Sequence, residues 1–178
     1  MCVFVRTCLA VAFVCSLAGS AYGQGSKSAA LTKELTTALD AAKLDAIAAK
    51  DPSASDVFVG ALYFPGVQLL VVSATYSAPQ AMTEQLAKKN YRDVYLDLFS
   101  ASVAGTKVSV TDLGANGLIA EPERNEPFDT YDAGKPLSFD GNWDQQKISE
   151  AEYKKAFAAA EEKYSQMLAA LLAHVKKS

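Results

Sequence analysis

The sequence predicts an α+β fold, with an antiparallel sheet of about five strands packed by an N-terminal helix, a short middle helix and a long C-terminal amphipathic helix. Two observations predict this class. Apolar residues recur at helical spacing near both ends of the chain, in residues 29–50 and 149–178. Between them lie short apolar runs bounded by Gly, Pro, Asn and Asp, which is typical of strands.

The first 23 residues have the pattern of a secretory signal peptide. One cation, Arg6, precedes an apolar run from Cys8 to Ala18, and small residues follow as far as Gly23. The run is about half as long as the ~20 residues that a membrane-spanning helix needs. We therefore expect residues 1–23 to be cleaved. Residues 24–28 would then form a flexible lead-in, and residues 29–178 would fold as a single α+β domain with no membrane span.

Cleavage would leave a chain without cysteine, because Cys2, Cys8 and Cys15 all lie in the signal. The mature chain would then contain no disulfide and no thiolate metal site. None of its asparagines begins an N-glycosylation sequence. These features favour a bacterial protein exported to the periplasm or the extracellular space.

The charge of the chain argues against a nucleic-acid partner. The sequence has 17 Lys and Arg residues against 20 Asp and Glu residues, and the signal removes one cation, Arg6. Nucleic acids are bound through clusters of Lys and Arg. The basic residues here form no such stripe, so we expect no nucleic-acid binding.

The N-terminal helix is expected over residues 29–50, with Leu31, Leu35 and Leu39 on one face. Leu44 and Ile47 lie off that stripe. Two interpretations remain open: a helix buried on two sides, or a change from helix to strand near residue 44.

The next elements are a hairpin and a helix. Residues 57–64 and 67–76 are two apolar runs separated by Pro65 and Gly66, which favour a tight turn. The second run does not alternate, which predicts a central strand covered on both faces. Ser77 can cap the middle helix over 78–89, and Pro79 suits its first turn.

Residues 91–99 alternate cleanly and present a polar and aromatic face. Rings beside carboxylates can bind sugars, amines or a peptide, although a sheet with one solvated face has the same pattern. The candidate ligand-binding residues are this face and the single tryptophan: Tyr91, Asp93, Tyr95, Asp97, Phe99 and Trp143.

The C-terminal third contains a strand, a long loop and a helix. A strand over 107–112 leads into the turn Gly114–Gly117, and 121–147 is expected to be an ordered loop with one short strand at 137–139. Ser149 and Glu152 form a capping box. The apolar stripe of the final helix comprises Tyr153, Phe157, Ala160, Tyr164, Leu168, Leu171 and Val175.

Two stretches could hold a metal through oxygen atoms. Asp112, Asn116 and Glu123 occupy the first, fifth and twelfth positions of a calcium-loop template, but Gly114 supplies no ligand at the third. A hairpin turn in which Gly114, Asn116 and Gly117 adopt positive φ is the alternative. The second candidate set is Asp140, Asn142 and Asp144, for which the alternative is a loop that leads into the last helix.

The order of hairpin, helix and two strands over about residues 44–120 resembles the core of flavin-binding split barrels of the pyridoxamine phosphate oxidase type. The resemblance is one of element order and hydrophobic pattern. It implies a flavin at the step from strand to helix, Thr75–Gln80, which here contains hydroxyl groups but no Arg or Lys.

No catalytic residue is predicted. His174 is the only histidine, and its place at the end of the last helix is unsuited to a Ser-His-Asp catalytic triad. We leave open whether the chain is an enzyme, and favour an exported, non-catalytic binding module for a small molecule, glycan or partner protein. A flavin- or haem-binding split barrel and a calcium-dependent module are the alternatives.

Overall fold

A helix, six strands and a second helix follow one another in the computed structural model, which describes residues 26–51, 57–75 and 108–177. The helices are α1 (Lys27–Ala42) and α2 (Glu150–Val175). The strands are β1 (Ala46–Lys50), β2 (Phe58–Phe64), β3 (Leu69–Thr75), β4 (Val108–Leu113), β5 (Asp129–Asp132) and β6 (Pro136–Phe139). The α+β class, the antiparallel sheet and the two terminal helices are thereby confirmed.

The strands lie side by side in the order of the sequence, each antiparallel to its neighbours. This meander places β1 and β6 at the two edges and β3 between β2 and β4. Leu70, Val71 and Val72 of β3 are 0% exposed. The prediction of a central strand covered on both faces is therefore confirmed.

The boundary between α1 and β1 decides between the two interpretations of residues 29–50. The side chain of Ser26 accepts a hydrogen bond from the Ala29 N–H, and α1 begins at Lys27, so part of the expected lead-in forms its cap and first turn. The helix ends at Ala42, because Lys43 adopts a left-handed φ of 55°. Ile47 then belongs to β1, so the change to strand near residue 44 is correct and a helix to residue 50 is wrong.

The turn between β2 and β3 is longer than the expected two-residue hairpin. Pro65–Val67 forms a turn of 3₁₀ helix, and Gln68 follows with a left-handed φ of 51°. Val67 is 70% exposed and β3 begins at Leu69. The strand therefore starts two residues later than its apolar run.

A second hairpin, formed by β5 and β6, lies in the middle of the loop expected over 121–147. Thr130 pairs with Ser138, and Gly134 occupies the turn with a φ of +93°. The expected short strand at 137–139 is confirmed as part of β6. The prediction missed β5 because its four residues, Asp-Thr-Tyr-Asp, contain only one apolar side chain. With β1 this explains why the described strands outnumber the predicted five.

Helix α2 follows the predicted pattern closely. The Ser149 and Glu152 capping box is present, and Lys154 pairs with Glu150 one turn away. Both helices pack on one face of the sheet, and together they enclose the main core. The stripe residues Tyr153, Ala160, Tyr164, Leu168 and Leu171 are buried, while Phe157 and Val175 pack against the core from its margin.

The opposite face of the sheet has a smaller apolar cluster. Leu62 of β2 and Val71 of β3 are cross-strand partners and are 1% and 0% exposed. Phe58, Phe64 and Leu69 pack against them. Because successive side chains of a strand point to opposite faces, the apolar runs of β2 and β3 supply apolar side chains to both faces.

Several predictions fall outside the described residues. These are the signal at 1–23, the middle helix at 78–89 and the strand at 91–99. Among the helices that the structure describes, none combines the length and the apolar character that crossing a membrane requires.

Candidate functional site

A groove opens between the β5–β6 hairpin and the start of α2. Its volume is about 400 Å³, which falls within the range of roughly 300–1,000 Å³ found for small-molecule sites. Tyr131 and Leu137, which are cross-strand partners, line it from the sheet. Ile148 lines it from the loop before α2 and Ala156 from the helix itself. The groove is therefore walled mainly by apolar side chains.

Small side chains on α2 make room for the groove. Ala156 and Ala159 have the smallest side chains among the α2 residues that line the groove. Next to the groove the same two elements touch directly. The Phe139 ring of β6 packs edge-to-face on Tyr153 and Phe157, with ring centroids 5.8 Å and 5.0 Å apart. This aromatic contact fixes the hairpin on the helix and so fixes the walls of the groove.

Two opposite charges lie among the exposed lining residues, Lys135 and Glu152. The Glu152 carboxylate accepts hydrogen bonds from the Ser149 N–H and hydroxyl group, which hold its pKa below the usual range, and Lys135 lowers that pKa further. Tyr131 is half-buried, and burial raises the pKa of its hydroxyl. At neutral pH the groove therefore offers a cation, an anion and a neutral phenol beside an apolar floor.

The outer edge of β6 is covered by a side chain. The Gln146 amide donates to the Ser138 carbonyl at 2.6 Å and accepts from the Ser138 N–H at 3.0 Å. It also donates to the Asp140 carboxylate. A primary amide placed in this way satisfies backbone groups that would otherwise be open to another strand.

Two buried carboxylates, Asp112 and Asp129, organise the loop between β4 and β5. Asp112 is 0% exposed, and its oxygens accept from the N–H groups of Asn116 and Gly117 at 3.1 Å and 2.9 Å. They also accept from the hydroxyl groups of Thr32 on α1 and Tyr164 on α2. One carboxylate therefore joins β4, its following loop and both helices.

Asp129 is 1% exposed and accepts from the Leu113 N–H at 2.8 Å and the Ile119 N–H at 2.9 Å. Burial raises its pKa to about 7, and the charge on Asp112 adds to the rise. Burial also raises the pKa of Asp112, against its four hydrogen bonds. Neither carboxylate forms an ion pair with a described basic residue. We call Asp112 and Asp129 the buried carboxylate pair.

The loop held by this pair packs closely on the start of α1. The Leu118 N–H donates to the Ser28 hydroxyl at 3.0 Å, while Glu161 of α2 accepts the Ser28 N–H at 2.8 Å. Gly117 approaches Ala29 so tightly that a Cβ atom at residue 117 would lie 2.4 Å from the Ala29 nitrogen. Glycine is required there by both the close approach and its φ of +90°.

The predicted calcium loop is a hydrogen-bonded turn around Asp112. Asn116 and Glu123 are exposed, whereas Asp112 is buried and surrounded by donors. Gly114 and Gly117 have positive φ as expected, but Ala115, not Asn116, is the third such residue. In the described ranges, no three acidic, His or Cys side chains cluster so as to hold a metal ion. Calcium binding by Asp112, Asn116 and Glu123 stays a prediction.

The second predicted metal set lies in the loop that leads into α2. The Asp140 carboxylate accepts from the Asn142 N–H and from Gln146, which is a turn arrangement, and Asn142 and Asp144 are exposed. Metal binding by Asp140, Asn142 and Asp144 likewise stays a prediction.

The predicted ligand-binding residues are not brought together by the described structure. Tyr91, Asp93, Tyr95, Asp97 and Phe99 lie outside the described residues. Trp143 is half-buried, packs against the core and has its ring centroid 6.0 Å from that of Tyr153. Binding by this set stays a prediction, as does the flavin- or haem-binding alternative; of the strand-to-helix step Thr75–Gln80, only Thr75 is described.

Sequence reasoning missed both the groove and Asp129. Tyr131 and Lys135 lay within the expected loop, where no alternation long enough to indicate a strand is present. One signal was available on α2: Ala156 and Ala159 are small residues beside the aromatic positions of the stripe, which leaves space on that side. Asp129 had no comparable signal, because it stands alone between Phe128 and Thr130.

Comparison with known proteins gives no match at the level of a protein family, a curated protein or a solved structure.

Proposed function

We propose that this protein is an exported, non-catalytic binding module whose groove holds the aromatic or aliphatic body of a small charged molecule. The observation that carries the proposal is the groove itself: about 400 Å³ of space walled by Tyr131, Leu137, Ile148 and Ala156. Ligand sites are typically concave and mostly apolar, with a few polar groups that fix orientation.

The charges beside the groove support a charged or zwitterionic ligand. Lys135 can pair with a carboxylate and Glu152 with an amine, while the Tyr131 ring offers a flat apolar contact. Because both charged residues are exposed, their contribution would be modest and sensitive to salt. Affinity would come mainly from burial of the apolar body.

The titratable groups in the groove favour binding over catalysis. A general acid or base works best when its pKa lies near the operating pH. Capping holds the pKa of Glu152 low, and burial raises that of Tyr131. Both shifts lead away from neutrality, so neither group is suited to move protons there.

Export is supported by the signal-like pattern of residues 1–23.

Ligand-observed NMR tests the proposal with three probes at millimolar concentration: indole, benzoate and benzylamine. We expect saturation transfer from the protein to at least one probe. Ala156→Trp places a large ring in the groove and should abolish that transfer. Ala158→Trp is the matched control, because Ala158 is an exposed residue of the same helix that does not line the groove.

The outcomes separate clearly. Loss of transfer in Ala156→Trp and its retention in Ala158→Trp would support the groove as the binding site. Absence of transfer to all three probes, or equal transfer in both variants, would contradict it. Circular dichroism on each variant checks that the fold is retained.

A further inference from the structure

A second feature of the fold lies away from the groove and is built on the buried carboxylate pair. Asp112 and Asp129 are almost fully shielded from solvent, and each holds backbone N–H groups of the same loop. Two acids in such surroundings are expected to resist carrying two charges at once.

We propose that the folded domain keeps one proton on the Asp112 and Asp129 pair, and that its loss on alkalinisation loosens the 113–119 loop from α1 and α2. The inference does not depend on the groove or on any ligand. It makes the stability of this domain responsive to pH across the neutral range.

Among the described residues, the side chains that contact the pair from the two helices carry no positive charge. From α1 it meets the Thr32 hydroxyl, and from α2 the Tyr164 hydroxyl. Glu161 of α2 accepts a hydrogen bond from the Ser28 N–H and brings no positive charge to this end of α1. No lysine, arginine or histidine in the described part of the chain contacts either carboxylate.

The hydrogen bonds indicate which acid keeps the proton. Asp112 accepts four hydrogen bonds, two from backbone N–H groups and two from hydroxyl groups, and these favour its charged form. Asp129 accepts two. Tyr164 stays protonated and able to donate, since burial and the charge on Asp112 raise its pKa. The proton therefore resides mainly on Asp129.

The loop gives the pair a structural effect. Asp129 holds the loop at Leu113 and Ile119, and Asp112 holds it at Asn116 and Gly117. Leu118 between them bonds to Ser28 on α1. Repulsion between two charged carboxylates would act on both anchors of a loop that joins the sheet to α1.

The sign of the effect follows from the raised pKa of Asp129, which moves from its ordinary value near 3.8 to about 7 on folding. Between those values the folded state binds more protons than the unfolded state, so stability falls as pH rises. It is highest below about pH 4 and has lost this contribution above about pH 7. Between the two pKa values, the unfolding equilibrium constant rises about tenfold per pH unit. We therefore expect it to rise roughly 10- to 100-fold between pH 5 and pH 8.

The test is urea unfolding of the full chain at pH 5 and pH 8, for the wild type and two variants. Asp129→Asn cannot ionise, so its unfolding constant should change at least tenfold less than that of the wild type. Asp132→Asn removes a carboxylate on the same strand that accepts from the Gly134 N–H at an exposed site. It should behave as the wild type does. Equal pH dependence in the wild type and Asp129→Asn would overturn the proposal.

A second measurement needs no variant to fold. The side-chain carboxyl carbon of Asp129 can be followed by ¹³C NMR in the wild-type protein between pH 3 and pH 9. We expect its titration midpoint near neutrality. A midpoint close to that of an exposed aspartate, about 4, would overturn the proposal.

Discussion

The close approach of Gly117 to α1 allows the packing of the 113–119 loop to be tested by one substitution. In Gly117→Ala, the added Cβ would lie 2.4 Å from the Ala29 nitrogen and 2.5 Å from its Cα, both of them backbone atoms. The positive φ of residue 117 would add about 1–2 kcal/mol of strain. Movement of the loop would weaken the hydrogen bond from residue 117 to Asp112, worth about 1.5–3 kcal/mol for a charged acceptor.

The expected destabilisation by Gly117→Ala is therefore about 3–5 kcal/mol. With a urea dependence of about 2 kcal/mol per molar, the unfolding midpoint should fall by roughly 2 M. Tryptophan fluorescence from Trp143, the only tryptophan, reports the transition.

Gly134→Ala provides the matched control for the backbone strain. Gly134 has a φ of +93°, yet a Cβ there would meet nothing within 4 Å. Its midpoint should fall by only about 0.5–1 M, since strain alone is added. Equal losses in the two variants would refute the close packing of the loop on α1.

Two further substitutions test how the ends of α2 and the hairpin are held. Ser149→Ala removes the capping box and should lower the free energy of unfolding by about 1 kcal/mol in urea titrations; an unchanged midpoint would refute the cap. Tyr153→Phe removes a hydroxyl that donates to the Ala120 carbonyl at 2.7 Å and accepts from the Gly141 N–H. Its loss should destabilise by about 1–3 kcal/mol by the same assay, because the buried carbonyl is left unpaired. Tyr131→Phe should change the midpoint much less, because the Tyr131 hydroxyl forms no hydrogen bond with a described residue.

The parts of the fold that could be predicted are those in which one physical signal dominates. Helix α2 has a capping box and a stripe sustained over many turns, and β3 has a continuous apolar run. The end of α1 was harder, because residues 44–49 satisfy helical spacing almost as well as alternation. Lys43 decides the matter through its left-handed φ, and a lysine gives no sequence signal for that conformation.

Strand β5 and its pairing with β6 could not be predicted, because the stability of this hairpin comes from tertiary contact. Its strands have four residues each, and Asp129 and Thr130 resemble loop residues. What fixes them is the Phe139 ring on Tyr153 and Phe157, and the Gln146 amide on Ser138. These partners lie outside the two strands, so the sequence pattern of the strands does not reveal them.

The candidate site was predictable only in part for the same reason. Asp112 stood out in the sequence, although the pattern suggested calcium, and the structure surrounds it with hydrogen-bond donors. Its partner Asp129 comes from another strand, and the groove forms only where the β5–β6 hairpin meets α2. The spacing of residues along one segment carries no information on such tertiary contacts between different elements.

Chemical-shift mapping on the ¹⁵N-labelled protein tests the proposed binding groove most directly. With indole, benzoate or benzylamine, the account predicts that the perturbed backbone amides are those of Ala133, Leu137, Ile148, Ala156 and Ala159. Amides of α1 and β1 should remain unchanged. Perturbations confined to residues 91–99, or scattered without relation to the β5–β6 hairpin and α2, would contradict it.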